Sequence, residues 1–184
     1  MHLDEPRIQP LADDQLDEEA LSVLERAKMR GQVFNIFRTL VHHPKLLERW
    51  MVFGSHVLGK STLPPREREM VILRIGWLCH SEYEFGQHVL IGRRAGLTDD
   101  EIRRIQTGPD AEGWSELDRA MLRAVDELHA EAFISDPTWQ KLAEQLSTQQ
   151  LLDLIFAVGQ YNLVSMALNT LGVQRDEGVP GFDL

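Results

Sequence analysis

The sequence predicts an all-α fold, a single domain of about eight or nine helices. Three observations carry this. Thr98 with Glu101, Ser115 with Asp118 and Ser147 with Gln150 have the capping-box spacing, in which a hydroxyl takes an orphan amide of the first turn and the later side chain reaches back to the cap. Pro44, Pro65 and Pro137 fit first-turn positions, where a missing N–H costs nothing, and Gly96 fits the left-handed residue after a helix. No segment of five or more residues alternates apolar with polar as a half-buried strand would.

Taken in order, residues 1–12, with Pro6 and Pro10, read as an extended arm, of a kind that lies over a neighbour in obligate oligomers. Helices follow over 14–30 and 34–42, the second stopped by His43-Pro44. Pro44 opens 44–59, Pro65 opens 65–79, and a turn near Ser81 leads into 82–95, which Gly96 ends. The caps at Thr98 and Ser115 open 98–107 and 115–133, Pro137 opens 137–146, and Ser147 opens the long 148–172. Residues 174–184, with Pro180-Gly181, form a C-terminal tail.

At 184 residues, 43% hydrophobic and 26% charged, the composition is that of one ordinary globular domain spanning 1–184. A net charge of −10, with basic residues no denser than the doublets Arg93-Arg94 and Arg103-Arg104, argues against nucleic acid as a partner. One cysteine excludes an internal disulfide framework, and the N-terminus has neither a basic region nor an apolar one, so cytoplasmic residence is the expectation. Arg74, Asp153 and Gln160 interrupt the most apolar runs, and no membrane span is expected.

The chemistry concentrates between Glu69 and His88. Glu84 and His88, four apart, share one helix face. If the preceding helix folds back at Ser81, Glu69 joins them in a carboxylate–imidazole–carboxylate cluster suited to moving protons. Glu69, Leu73, Gly76 and His80 fall in one helical row, and Gly76 there lets a backbone or ligand come close. Arg66-Glu67-Arg68-Glu69, on the other hand, also reads as a solvated first turn. Cys79 and His80, adjacent on a helix, point about 100° apart and do not form a nucleophilic pair; a buried inert thiol is the simpler reading. His42-His43-Pro44 lacks further ligands at a regular spacing, so no metal is expected. Trp50, Phe53, Trp77, Phe85, Phe156 and Tyr161 lie among apolar neighbours as core, with one or two walling a pocket.

Pro65-Arg-Glu-Arg-Glu69, Ile72-Leu73-Arg74, Tyr83-Glu84-Phe85 with His88, Ala95-Gly96-Leu97 and Glu101-Ile102 together resemble the carboxymuconolactone decarboxylase family, which includes the alkylhydroperoxidase D-like proteins. A weaker likeness runs from Asn35-Ile36-Phe37-Arg38 and His43-Pro44 to Tyr161-Asn162-Leu163 and Asn169-Thr170-Leu171-Gly172. The resemblance implies an alkylhydroperoxidase D-like orthogonal helical bundle and a homo-oligomer built of trimeric or hexameric units. In the peroxidase branch a Cys-x-x-Cys pair lies between the Glu and the His; here Ser81 and Glu84 hold those two positions. A disulfide-cycling peroxidase needs a second thiol to resolve its sulfenic acid, and this chain has only Cys79. The resemblance therefore implies the decarboxylase-like branch.

The resulting expectation is a carboxymuconolactone decarboxylase-like enzyme acting without a cofactor on a small carboxylated or lactone metabolite. His88 is expected to give the proton or steady the enolate, Glu84 to orient it, and Glu69 to act as a second acid/base group. Ser81, Cys79 and Trp77, around the turn, complete the expected substrate-binding set. Two alternatives stand beside it: a thiol peroxidase using Cys79 with an external reductant or intersubunit partner, and a non-catalytic oligomeric binding protein on the same scaffold.

Overall fold

A computed structural model describes residues 3–28 and 31–183, and its secondary structure among these is helical, in nine α-helices. They are α1 (Glu18–Ala27), α2 (Asn35–Leu40), α3 (Pro44–Gly59), α4 (Pro65–Leu78), α5 (Glu82–Arg94), α6 (Asp99–Thr107), α7 (Glu116–Glu131), α8 (Asp136–Ala143) and α9 (Thr148–Leu171). The boundaries follow the caps. Thr98/Glu101 and Ser147/Gln150 form reciprocal capping boxes. Ser115 accepts from the Asp118 amide, but Asp118 does not reach back, because Arg66 takes both its carboxylate oxygens, at 2.9 and 3.3 Å.

The first helix starts later than the apolar pattern predicts. Leu16 is extended, and Asp17, accepting from the Ala20 amide, opens α1 at Glu18 after a short 3-10 turn over Asp13–Gln15. The far end of the expected 14–30 helix includes residues 29 and 30, which lie outside the described residues.

Helix α4 is the axis of the domain. Every residue from Glu69 to Gly76 is buried, with α5, α6, α7 and α9 packed around it, so its apolar side chains occupy all faces rather than one stripe. Arg74, inside that shell, is held by four hydrogen bonds: it forks onto Asp126 at 2.6 and 2.9 Å and donates to the carbonyls of Ile105 and Gln106. Loss of one partner from a buried pair of this kind typically costs about 3–5 kcal/mol. At the α4–α5 turn His80 adopts a left-handed conformation (φ 51°), and the Ser81 amide bonds back to the Gly76 carbonyl. This folds α5 against α4, and the Phe85 backbone comes within van der Waals reach of Gly76.

Both terminal segments pack on their own chain. The Arg7 amide bonds to the Leu171 carbonyl and the Leu11 amide to the Arg38 carbonyl, so this arm does not need the neighbour expected for it. The C-terminal segment crosses α5 at Gly86, where a β-carbon would lie 2.1 Å from the Pro180 carbonyl oxygen; only glycine fits. Phe182 then stacks edge-on against Trp77 and Phe85, with centroids 4.9 and 5.2 Å away.

Helix α9 has the length and mean hydropathy, 24 residues and 1.5, of a bilayer-crossing helix, despite Asp153 and Gln160. Half of its apolar window is buried inside the domain, where it packs on α4, α7 and α5.

Candidate active site

The α4–α5 hairpin brings Glu69, Glu84 and His88 together, each almost wholly buried at 0%, 5% and 3% exposure. His88 Nδ1 hydrogen-bonds Glu69 Oε2 at 2.6 Å, and Nε2 ion-pairs with Glu84 Oε1 at 2.9 Å. The other Glu69 oxygen accepts from Arg68 Nε at 2.9 Å. An exposed Glu–His pair four apart would contribute only about 0.2–0.5 kcal/mol. Burial changes the scale, since an unpaired ion here would cost several kcal/mol.

These contacts set the charges. Burial alone would drive the His88 imidazole toward its neutral form, but the Glu69 carboxylate, with Glu84 adding to it, overrides this and raises the group from 6.5 to about 10. Burial likewise pushes the Glu69 carboxyl up, and the charge and hydrogen bond of His88, with Arg68 behind them, outweigh it and hold the carboxyl below its ordinary range. The site at neutral pH is thus an imidazolium clasped between carboxylates. Tyr161 from α9 meets the imidazole edge-on, ring centroids 4.7 Å apart, and burial followed by the Glu84 and Glu69 charges keeps its phenol protonated.

A cavity of about 380 Å³ opens on one side of this cluster. Glu84, His88, Gln160 and Tyr161 form its polar floor, while Phe34, Ile36, Phe37, Trp50, Met51 and Leu58 from α2 and α3 and their approach form the apolar wall. Glu69 is not part of the lining and stands behind His88. The second Glu84 oxygen has no hydrogen-bond partner among the described residues.

The remaining expected residues lie elsewhere. Ser81, Cys79 and Trp77 do not line this cavity, because the cavity faces the Tyr83–Gln87–Ile91 side of α5 whereas these three sit at the end of α4 and the turn. Ser81 is wholly buried, its hydroxyl without a partner among the described residues. Trp77 stacks with Phe85 and Phe182. Cys79 Sγ lies 3.1 Å from Asn162 Oδ1 and 3.9 Å from His129 Nδ1, a histidine fifty positions away rather than the adjacent His80. Burial pushes its thiol up, away from thiolate. Of the aromatics expected in the core, Trp50 and Tyr161 wall the cavity, and Phe53 and Phe156 are exposed.

His42 and His43 have structural partners, Nε2 of the first on the Gln9 carbonyl and Nδ1 of the second accepting the Leu46 amide as the α3 cap. Glu69, Glu84 and His88 bond to one another instead of converging on a point, and among the described residues no group of three or more His, Cys, Asp or Glu is arranged to hold a metal ion.

The sequence pattern gave little notice of Gln160, Tyr161 or the wall from α2. Arg68 was visible only as part of an alternating charge run. Tyr161 was signalled only as one of six aromatics that could be core or wall a pocket and by the weaker stretch of family likeness.

Comparison with known proteins bears on the fold and on the segment that holds this cluster. Residues 44–127, which hold the whole Glu69–His88 segment, match the model of the carboxymuconolactone decarboxylase family, and this segment belongs to that family. The fold is alkylhydroperoxidase D-like. An alkylhydroperoxidase AhpD core, a peroxidase-related protein from Ralstonia eutropha JMP134, superposes with TM-score 0.79 at 19% identity over 94% of this chain and 93% of that one. A peroxidase-related protein from Silicibacter sp. TM1040 gives 0.77 at 17% identity, over 98% and 95%. The debrominase Bmp8, bound to 2,3,4-tribromopyrrole, gives 0.76 at 12% identity, over 95% and 94%. No curated protein matches the sequence.

The ionised cluster has a pH signature. A folded-state value raised to about 10 means that His88 stabilises the fold fully below 6.5 and that this contribution is lost as pH rises through about 10. The depressed Glu69 contributes at pH above the ordinary carboxylate range and fades on acidification through its lowered value. Urea midpoints measured from pH 6.5 to 10 should therefore fall more steeply for the wild type than for His88→Asn; parallel curves would contradict the assignment.

Proposed function

We propose that the protein is an acid/base enzyme acting on a small, largely apolar organic molecule, and that its reaction is a decarboxylation of a carboxylated or lactone metabolite. One observation carries the reading: a carboxylate–imidazolium pair faces a largely apolar cavity, with a second carboxylate buried behind it. Surface ion pairs do not need that third group. A pair that must change protonation without the fold giving way does.

In the proposed reaction the bond to the carboxylate breaks, its electron pair moves into a conjugated carbonyl to give an enolate, and carbon dioxide leaves. A proton then returns to carbon. Both imidazole nitrogens are engaged, so the proton passes from His88 Nε2 through Glu84, whose second oxygen is unpartnered, to the substrate, and the imidazole is reprotonated from water. This exchanges the roles expected from sequence: Glu84 faces the substrate and Glu69 is the fixed anion that orients His88. Arg26 and Lys28, on the cavity rim and already paired with Glu48 and Glu25, are the cations nearest for a substrate carboxylate. The family membership and the fold support this reading. The half-buried, up-shifted Cys79 thiol, outside the cavity, favours it over peroxide reduction.

Carbon dioxide release from a panel of β-keto acids and carboxylated lactones tests it. Glu84→Gln and His88→Ala should each lower turnover about 10²–10⁴-fold, and Cys79→Ser should leave it nearly unchanged. Absence of turnover across the panel, or full activity in Glu84→Gln, would count against decarboxylation through this pair.

Assembly into a homo-oligomer belongs to the same proposal. On the outer face of α9, Leu152, Phe156, Gly159, Leu163 and Met166 are exposed at alternating spacings of four and three, a heptad seam suited to a second copy of the helix. Phe53 extends the patch from α3, edge-on to Phe156. Light scattering should report a multiple of the 21.1 kDa chain that Phe156→Glu with Leu163→Glu reduces; a monomeric wild type across a tenfold dilution would overturn it.

A further inference from the structure

Beside Trp50, whose buried indole N–H has no partner among the described residues, two further polar side chains at the cavity have no assigned work. Gln160 and Tyr161 are each 5% exposed, both line the cavity, and neither makes a hydrogen bond to a described residue. Neither polar end is among the atoms sealed from solvent without a partner, so both open onto the cavity, where a ligand can complete them. Their neighbours explain why nothing in the chain does. The Gln160 amide nitrogen lies toward Gly54, whose absent side chain leaves the space open; a β-carbon there would be 3.6 Å from it. Tyr161 is fixed by its ring against His88, which leaves its hydroxyl free to serve the cavity.

The groups also define the chemistry of what they receive. Tyr161 keeps its proton, because burial and the two carboxylates oppose ionisation, and therefore donates. Gln160 presents an amide N–H₂, a donor as well. These two donors call for an acceptor oxygen on the ligand, while the unpartnered Glu84 oxygen is left to face the reacting carbon. With Glu69 and Glu84 balanced by Arg68 and His88, the floor carries no net charge to favour an ion over a neutral molecule. Phe34, Phe37 and Trp50 across the cavity accept a flat apolar body, and 380 Å³, toward the small end for ligand sites, fits one or two rings.

We propose that Gln160 and Tyr161 are the substrate-recognition pair of this site, donating to the carbonyl oxygen of a small, flat, mostly apolar carbonyl compound whose reacting carbon faces Glu84. The inference rests on the acid/base reading for the position of the reacting carbon. In that reaction the same oxygen gains charge as the enolate forms, so the two donors bind it more strongly then than in the ground state.

The test is a binding measurement without turnover, using 2-acetylnaphthalene and its hydrocarbon counterpart 2-isopropylnaphthalene, nearly equal in shape and differing in the acceptor oxygen. Wild-type protein should bind the ketone at least about tenfold more tightly, the equivalent of one net hydrogen bond. Tyr161→Phe and Gln160→Met, each near in shape to the original, should lower that preference severalfold and abolish it together, while hydrocarbon affinity stays the same. Near-ultraviolet circular dichroism checks that each variant is folded, and Tyr161→Phe alone decides if Gln160→Met is not. Equal affinities in the wild type, no binding of either probe, or a preference that survives in the folded variants would overturn the proposal. Glu84→Gln separates the two ideas: it should keep the ketone preference while losing acid/base activity.

Discussion

A carboxylate with no exposed surface dictates the arrangement around it. Glu69 sits in the middle of α4, the most enclosed helix of the domain, and its charge is tolerable only because Arg68 and the His88 imidazolium each take one of its oxygens. Meeting that need fixes the register of α5 against α4 and so depends on the tight turn at His80 and Ser81. Once His88 is charged and buried, its second nitrogen requires a partner too, and Glu84, one turn earlier on the same helix, supplies it. The cavity-facing carboxylate is the end of a chain of electrostatic obligations that begins in the core.

The site draws on two groups of elements. Glu69, Glu84, His88 and Tyr161 come from α4, α5 and α9, which pack on one another around the main core. The apolar wall comes from α2, α3 and the segment before α2, which pack with α1 around Val41 and Leu47 and join α5 and α9 around Ile36, Tyr83 and Val164. Proton chemistry needs fixed distances, and the first group provides them. Trp50, Phe34 and Phe37, in the second group, bound the cavity.

Much of this was legible in the sequence, and what was not has identifiable causes. Helix starts were readable wherever a side chain caps a local amide, as at Thr98 and Ser147, since capping is decided within four residues. The start of α1 was misread because the apolar pattern continues past Leu16 although the cap lies at Asp17. Glu84 and His88 are linked by helical spacing alone. Glu69 needed the family likeness, since its charge run reads equally well as a solvated turn. The order of roles within the trio was not accessible, because which carboxylate faces the cavity depends on how α2, α3 and α9 close over α5. Gln160 stayed hidden for the same reason, and Tyr161 was legible only as one of six aromatics that could wall a pocket: nothing local marks a polar residue on an apolar helix as a ligand contact. The Cys79–His129 approach, fifty positions apart, is likewise purely tertiary.

Everything rests on His88 being an imidazolium at neutral pH, and nitrogen-15 NMR of the histidine rings reads this directly, with the His88→Asn protein providing the assignment. With the group raised to about 10 by its carboxylates, both ring nitrogens should carry protons throughout the neutral range and change only as pH approaches that value. A His88 ring with one unprotonated nitrogen at neutral pH would contradict the account at its base.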